Sequence, residues 1–201
     1  MNLNCLITGV GGQGTVLMAR LIGNAAILKG ADVLGAETIG MAQRGGSVVS
    51  HIRIGTGPRS PLIPPGRADL IIAFEPAEAV RVLPFLAPSG RLLALDRGIA
   101  PVTSSLSANG KAGGAKAGYD PSAMTAYLRQ TLEGRLSIID GEGLIRRLGN
   151  ARAINAALLG AAVKLGFLPF TAAEIGEVIT TKLPQKFVEM NLAALKTGQG
   201  L

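Results

Sequence analysis

The sequence predicts an α/β fold, in which a mostly parallel sheet is flanked by helices and a helical segment closes the chain. Short apolar runs typical of buried strands alternate with amphipathic stretches typical of helices, which is the rhythm of strand–helix–strand units. The composition agrees, because 48 % of the 201 residues are hydrophobic, 3 % are aromatic and 28 are glycines. We expect one domain over residues 1–201, long enough to bury an ordinary core.

The first half of the chain carries most of the strand–helix alternation. The predicted elements are strands at Leu3–Thr8, Ala31–Ala36, Ser47–Ile54, Asp69–Phe74 and Arg91–Leu95, and helices at Gly14–Lys29 and Pro76–Leu86. The inner face of the first helix is predicted to be Val16, Leu17, Leu21, Ile22 and Ala25. Crossover connections between such strands give a Rossmann-like, doubly wound sheet.

The second half is mainly helical. Residues 104–118 are small and polar, and they predict a loop. Asp120 and Pro121 suit the cap and first position of a helix, and Thr171 with Glu174 has the spacing of a capping box. The predicted elements are helices at Asp120–Leu132, Ala151–Leu165, Thr171–Lys182 and Pro184–Lys196, with one strand at Leu136–Asp140.

Residue types that hold metals or form disulfides are scarce. With Cys5 as the single cysteine and His51 as the single histidine, we expect no disulfide framework, no iron–sulfur cluster held by this chain alone and no self-contained zinc site. Cys5 falls in the first predicted strand and is expected to be a buried apolar side chain. No apolar run approaches the ~18 residues of a membrane span and no secretory signal precedes Leu3, which predicts a cytoplasmic protein with no membrane partner.

The chain is basic, with a formal net charge of +7. Its 20 Lys and Arg residues are scattered, and no aromatic residues alternate with them to stack on bases. This pattern favours an acidic partner subunit or a phosphorylated small molecule over nucleic acid. A binding module for nucleic acid or an acidic protein is kept as an alternative.

A glycine motif lies between the first strand and the first helix. Gly9, Gly11 and Gly14 spell G-x-G-x-x-G, which allows a tight turn and the close approach of a phosphate to free N–H groups. The same glycines also serve a purely structural turn, and the motif alone leaves both possibilities open. Gly12 and Gln13 fill the variable positions, and the amide of Gln13 at the loop crest indicates a specific polar contact.

A second motif follows the second predicted strand. Arg44 precedes two glycines, so its guanidinium is expected beside an open backbone, which suits a phosphate or a carboxylate. The alternative is that the segment is only a solvent-exposed turn. Because the first two strands are expected side by side, residues 37–46 should share one rim of the sheet with the glycine loop. His51 is expected to be structural or partner-facing. The candidate ligand- or partner-facing residues are Gly9, Gly11, Gly12, Gln13, Gly14, Glu37, Met41, Gln43, Arg44, Gly45, Gly46, Ser50 and His51.

Common catalytic motifs are missing from the sequence. It contains no G-x-x-x-x-G-K-[ST] phosphate loop, no G-x-S-x-G nucleophile elbow and no histidine placed for a triad. No residue is therefore predicted to be catalytic, and the chain is poorly equipped to perform chemistry by itself.

Taken together, the motifs resemble one family. Residues Gly9–Gly14 read G-V-G-G-Q-G, Gly40–Gly46 read G-M-A-Q-R-G-G, and Ser50–Arg53 read S-H-I-R. With the closing stretch Asn191–Gly198, they resemble the gamma-subunit family of 2-oxoacid:ferredoxin oxidoreductases, and within it the beta subunits of indolepyruvate enzymes. The likeness spans nearly the whole chain, although Leu195 stands where an aromatic residue is expected.

This resemblance implies a division of labour. No cofactor would be held by this chain, whereas thiamine diphosphate, Mg²⁺ and [4Fe-4S] clusters would lie on a larger partner subunit. The complex would oxidatively decarboxylate an arylpyruvate to an acyl-CoA, with coenzyme A as co-substrate, and would reduce ferredoxin. The glycine loop and the Gln43–Arg44 turn would contact the partner, the substrate carboxylate or the coenzyme A phosphates. Pyruvate and branched-chain enzymes share these motifs, so the 2-oxoacid stays open.

A different class of function follows from the glycine motif alone. A stand-alone NAD(P)-binding oxidoreductase needs an acidic residue near the end of the second strand to hold a ribose. Glu37 is the candidate for that role. Binding of NADH or NADPH by the pure chain would distinguish this alternative.

Overall fold

The computed structural model describes residues 1–40, 45–55, 57, 60–98 and 121–201. Within these residues, a six-stranded mixed sheet has the strand order β2-β3-β1-β4-β5-β6. Every predicted strand is found, with ends that differ by a few residues. The strands are β1 (Leu3–Val10), β2 (Val33–Ile39), β3 (Ser47–Ile54), β4 (Ala68–Ala73), β5 (Leu86–Leu95) and β6 (Leu136–Ile139).

The position of β3 corrects the expected topology. β1, β4, β5 and β6 pair in parallel, but β3 lies between β1 and β2 and is antiparallel to both. Only residues 40–46 separate β2 from β3. A connection of that length closes an antiparallel hairpin, whereas a parallel pair needs a crossover of a dozen residues or more. The first two strands are therefore not neighbours. The expectation that β1 and β2 lie side by side, from which residues 37–46 were predicted to share a rim with the glycine loop, was wrong.

Helices cover both faces of the sheet. The described helices are α1 (Thr15–Leu28), α2 (Pro76–Val82), α3 (Pro121–Thr131), α4 (Gly141–Leu148), α5 (Ile154–Lys164), α6 (Ala172–Lys182) and α7 (Gln185–Gln199), with short 3₁₀ turns at Leu83–Phe85 and Ala151–Ala153. Helix α4 was not predicted, because it is short and contains two glycines. It begins after Asp140, whose carboxylate accepts a hydrogen bond from the Gly143 N–H.

Two apolar cores lie on opposite faces of the sheet. One packs Cys5 and Ile7 of β1 against α1, α5, α6 and α7, and the other packs Leu6 against α2 and α3. On α1, Leu21, Ile22 and Ala25 are buried as predicted, but Val16 and Leu17 are half-buried while Met18 and Ala26 are fully buried. The buried face of α1 is therefore rotated relative to the predicted one.

The C-terminal helices confirm the predicted helical segment. The Thr171–Glu174 capping box is present in both directions at the start of α6. Helices α5 and α7 cross so closely that only glycine fits at two positions. A Cβ at Gly160 would meet the Leu195 carbonyl, and one at Gly198 would meet the Ala157 carbonyl. This crossing fixes α5, which carries one wall of the site described below.

Two predictions fall beyond what the structure covers. The loop predicted at 104–118 and the cap predicted at Asp120 lie outside the described residues. Among the described helices, none has the length and apolar character needed to cross a bilayer.

Candidate functional site

The glycine loop occupies the carboxyl end of β1 and leads directly into α1. Gly12 and Gly14 have φ values of 100° and 84°, in the left-handed region that favours glycine. Gly14 is the N-cap of α1, and no side chain of the described residues caps that end of the helix. The first N–H groups of α1 are thus not satisfied by a side-chain cap, and a helix start of this kind attracts anions.

Gln13 turns into the protein instead of standing at the loop crest. Its Oε1 accepts a hydrogen bond from the Val10 N–H at 2.8 Å, and its Nε2 donates to Oε1 of Glu75 at 2.6 Å. Glu75 is 2 % exposed. A Cβ at Gly9 would lie 2.5 Å from the Gln13 Oε1, so glycine at that position makes room for the amide. Gln13 therefore fixes the loop from inside.

The β2–β3 connection meets the glycine loop through Gly46. The Gly11 N–H donates to the Gly46 carbonyl at 2.8 Å. The next residue, Ser47, donates its hydroxyl to Glu78, which is 5 % exposed. The two motifs therefore touch because antiparallel β3 starts at the edge where β1 ends. Gly45 lies in the described turn with a φ of 75°, whereas Met41, Gln43 and Arg44 lie outside the described residues.

A cleft of about 350 Å³ opens between the glycine loop and the start of α5. Its lining comprises Gly11–Gly14, Phe74, Leu95, Arg97, Ala151, Arg152, Ile154 and Asn155. We call it the glycine-loop cleft. Asn155 is 4 % exposed and faces Gly14, where a Cβ would meet the Asn155 amide. Within the described part of the chain, the Asn155 Oδ1 has no hydrogen-bond partner.

The electrostatics of the glycine-loop cleft favour an anion. Arg97 and Arg152 line it, together with the N-terminal end of α1. No acidic side chain of the described residues lines the cleft, although Arg97 Nε donates to Glu142 at 2.8 Å from outside it. Two guanidinium groups and a helix N-terminus suit a phosphate or a carboxylate.

Glu37 and Ser50 lie away from this cleft. Glu37 pairs across the sheet with Ser50, and Ser50 pairs with Ile7 of β1, so β3 separates Glu37 from the glycine loop. The exposed Glu37 borders a groove of about 400 Å³ beside α1, together with Arg20. Ser50 is fully buried, and its hydroxyl makes no hydrogen bond to any described residue. Glu37 therefore does not meet the requirement for a ribose ligand beside the glycine loop.

His51 has a structural environment within this chain. It is 5 % exposed, its Nδ1 accepts the Ile63 N–H at 3.2 Å, and its ring packs edge-on against Phe85 at 5.9 Å. Burial lowers the pKa of the imidazole below its ordinary value. His51 is therefore a neutral ring at neutral pH, and it is not part of the glycine-loop cleft.

Several residues of the site were missed at the sequence level. Glu75 follows the apolar run of β4 directly, which places it at the carboxyl end of a central strand beside β1. Asn155 is a polar residue within the otherwise apolar run I-N-A-A-L-L-G-A-A of α5. Both were visible signals. Arg97 and Arg152 carried no signal in the sequence, because only the packing of α5 against the sheet brings them to one cleft.

The sheet order and the glycine-loop cleft define an α/β protein with a mixed six-stranded sheet and a cleft at the strand ends that is lined by two arginines. More particularly, the chain belongs to the pyruvate ferredoxin/flavodoxin oxidoreductase family, whose model matches residues 4–200. Similar proteins include indolepyruvate oxidoreductase subunit IorB of Archaeoglobus fulgidus, 38 % identical over 98 % of this chain and 94 % of the relative. The protein of the same name from Thermococcus kodakarensis is 34 % identical over 97 % of this chain and 93 % of its own.

Solved structures share the fold. Pyruvate oxidoreductase subunit PORC of Thermotoga maritima superposes with a TM-score of 0.68 at 19 % identity, covering 99 % of this chain and 96 % of that one. A 2-oxoglutarate:ferredoxin oxidoreductase from Magnetococcus marinus gives a TM-score of 0.68 at 17 % identity, over 99 % of this chain and 30 % of that one. In the second case, the fold of this chain corresponds to one part of a longer polypeptide.

Proposed function

We propose that this chain is the small, cofactor-free subunit of a ferredoxin-dependent oxidoreductase that oxidatively decarboxylates indolepyruvate or a related arylpyruvate to an acyl-CoA. The observation that carries this proposal is the match to proteins named indolepyruvate oxidoreductase subunit IorB, at 34–38 % identity. The match covers nearly all of both chains. It therefore compares whole units and not one shared motif.

The redox chemistry is proposed to reside on a larger partner subunit that carries thiamine diphosphate, Mg²⁺ and [4Fe-4S] clusters. Cys5 is fully buried in β1, and burial raises the pKa of its thiol far above the ordinary value. Such a thiol resists the deprotonation that iron ligation requires. No cluster of three His, Cys, Asp or Glu suited to a metal occurs in the described ranges. These side chains support a contribution by binding and positioning.

The glycine-loop cleft is proposed to hold phosphate groups of coenzyme A at the interface with that partner. Arg97 and Arg152 supply positive charge, the start of α1 supplies N–H donors, and the Asn155 amide faces the loop. Gln13 holds the loop in place through Val10 and Glu75, so little ordering is needed when an anion binds. The Magnetococcus marinus protein, of which this fold corresponds to one part, was solved with 2-oxoglutarate, coenzyme A and succinyl-CoA bound.

The position of Glu37 argues against the alternative of a stand-alone NAD(P) enzyme. A ribose ligand belongs on the strand next to β1, but that neighbour is antiparallel β3 and Glu37 lies one strand further out. Fluorescence titration of the pure chain with NADH and NADPH tests this alternative. Micromolar binding of either cofactor would favour it over the proposed subunit role.

Reconstitution tests the proposed activity. The chain is purified alone and together with a candidate large subunit that carries thiamine diphosphate and iron–sulfur clusters, and reduction of ferredoxin is measured with coenzyme A and four 2-oxoacids. We expect no turnover by the chain alone, and a higher kcat/KM for indolepyruvate and phenylpyruvate than for pyruvate or 2-oxoisovalerate by the complex. Turnover by the isolated chain would contradict the division of labour. A preference for pyruvate would contradict the substrate class.

A further inference from the structure

A large apolar groove lies on the face of the β2–β3 hairpin opposite α1. Its volume is about 670 Å³, within the range of small-molecule sites. Val49, His51 and Arg53 form its floor on β3, and the segment 60–65 and the 3₁₀ turn at Phe85 form its sides. We call it the hairpin groove. Among the described residues, it shares none of its lining with the glycine-loop cleft.

Arg53 brings an uncompensated positive charge to the hairpin groove. Its Nε donates to the side-chain oxygen of Asn4 at 2.9 Å, and its Nη1 donates to the Ser60 carbonyl at 2.9 Å. These acceptors are neutral. No carboxylate of the described residues forms an ion pair with Arg53, whereas Arg81 across the groove is paired with Glu78. The guanidinium is thus held in place with its charge available for a ligand carboxylate.

His51 adds a hydrogen-bond donor on the floor of the groove. Because Nδ1 accepts the Ile63 N–H, the neutral ring carries its proton on Nε2. Its burial and its edge-on contact with Phe85 keep the ring fixed. The rest of the lining is mainly apolar and includes Val49, Ile63 and Val82. Its other polar members are Thr38, Ser60 and Arg81, and Arg81 is paired with Glu78. One cation without a carboxylate partner among the described residues and one donor, in a mainly apolar groove, match a ligand with an apolar ring and a single acidic group.

We propose that the hairpin groove binds an aromatic monocarboxylate, with the ring between Val49, Ile63 and Phe85 and the carboxylate on Arg53. This site is separate from the proposed coenzyme A position. It needs no partner subunit and no turnover, so its test is independent of the proposed activity.

Binding is measured on the full chain by methyl NMR with indole-3-acetate as the probe. Indole lacks the carboxylate and acetate lacks the ring, so these two compounds separate the two halves of the recognition. We expect saturable shifts at Val49, Ile63 and Val82 with indole-3-acetate, at least about tenfold weaker binding of indole, and no saturation with acetate. Val33, which borders the groove beside α1, should not shift.

Two variants locate the ligand. Val49→Trp places a ring in the hairpin groove and should abolish saturation, whereas the matched control Val33→Trp fills the groove beside α1 and should leave binding unchanged. Arg53→Met keeps an apolar stem and should weaken indole-3-acetate about tenfold without affecting indole. Equal shifts on both faces of the hairpin, or binding that survives Val49→Trp, would overturn the proposal. A third result would also overturn it: the unmodified chain does not bind the probe, and Val49→Trp fails to assemble with the partner subunit. The groove would then be a protein interface.

Discussion

The glycine loop that borders the cleft and the β2–β3 hairpin differ in how far contacts within this chain hold them in place. Around the cleft, Gln13 is hydrogen-bonded to the Val10 N–H and to Glu75, and the Gly11 N–H donates to the Gly46 carbonyl. Among the described strands, β2 is an edge strand that pairs only with β3, and open grooves of about 400 and 670 Å³ border the two faces of the hairpin. The cleft is thus preformed, whereas the hairpin offers surface for other molecules to cover.

The largest expected effect concerns the wall of the cleft. Gly198→Ala would press a methyl group against the Ala157 carbonyl, two residues beyond Asn155. Backbone atoms cannot rotate away, so we expect a loss of about 3 kcal/mol in the free energy of unfolding, measured by urea denaturation. Gly176→Ala is the control, because its added Cβ would lie 3.5 Å from the flexible Leu192 side chain. That control should gain about 0.5 kcal/mol from helix propensity. Equal effects would contradict the close α5–α7 crossing.

The next effect concerns the internal support of the glycine loop. Gln13→Met keeps the side-chain length but removes the hydrogen bonds to the Val10 N–H and to Glu75. We expect a loss of about 2 kcal/mol in the free energy of unfolding, because one partner is a buried carboxylate. Asn24→Met is the matched amide control on the hairpin side, where the Asn24 amide donates to the Arg20 carbonyl and to no other described residue. That substitution should change stability by about 0.5 kcal/mol or less. A loss in Asn24→Met as large as that in Gln13→Met would remove the contrast between the regions.

A kinetic experiment separates the two regions by function. Arg97→Gln and Arg152→Gln should each raise the KM for coenzyme A of the reconstituted complex about tenfold, because each removes a charged donor from the cleft. The KM for the 2-oxoacid should stay unchanged. Arg20→Gln, in the groove beside α1, serves as control and should alter neither value. A rise in the KM of the 2-oxoacid instead would place the substrate carboxylate in the cleft.

The smallest expected effect on stability concerns a surface ion pair outside both regions, and it provides a baseline for the larger effects above. The pKa of Glu174 is lowered, first by the hydrogen bond from Lys29 and then by the Thr171 backbone N–H. A carboxyl group whose pKa is lower in the folded than in the unfolded protein stabilises the fold at pH values above its unfolded-state pKa. This stabilisation disappears as the pH falls through its folded-state pKa. The stability difference between the unmodified chain and Glu174→Gln should therefore shrink between neutral pH and about pH 3. Glu177→Gln, on the same helix and without an ion pair among the described residues, is the control for the loss of a surface carboxyl group.

Much of the fold could be predicted from local sequence. The apolar runs of β1 and β4 predict central strands, and the Thr171–Glu174 spacing predicts the start of α6, because these signals depend on neighbours in sequence. The place of β3 was missed, since strand order is decided by pairing between distant segments. Within the site, the glycines were found from their motif. Their polar supports, Glu75 and Asn155, lie 62 residues and more from Gln13 along the chain.

The sequence by itself determined the α/β class, the glycine turn into α1 and the scarcity of metal ligands, because composition and short-range spacing are sufficient for each of these. The tertiary structure alone decided that Gln13 faces inward, that Glu37 lies two strands from β1, and that Arg97 and Arg152 meet at one cleft. The physical reason is that a side chain's partners are set by packing across the sheet. A seven-residue connection between β2 and β3 turned the chain back on itself and moved the second strand to the edge.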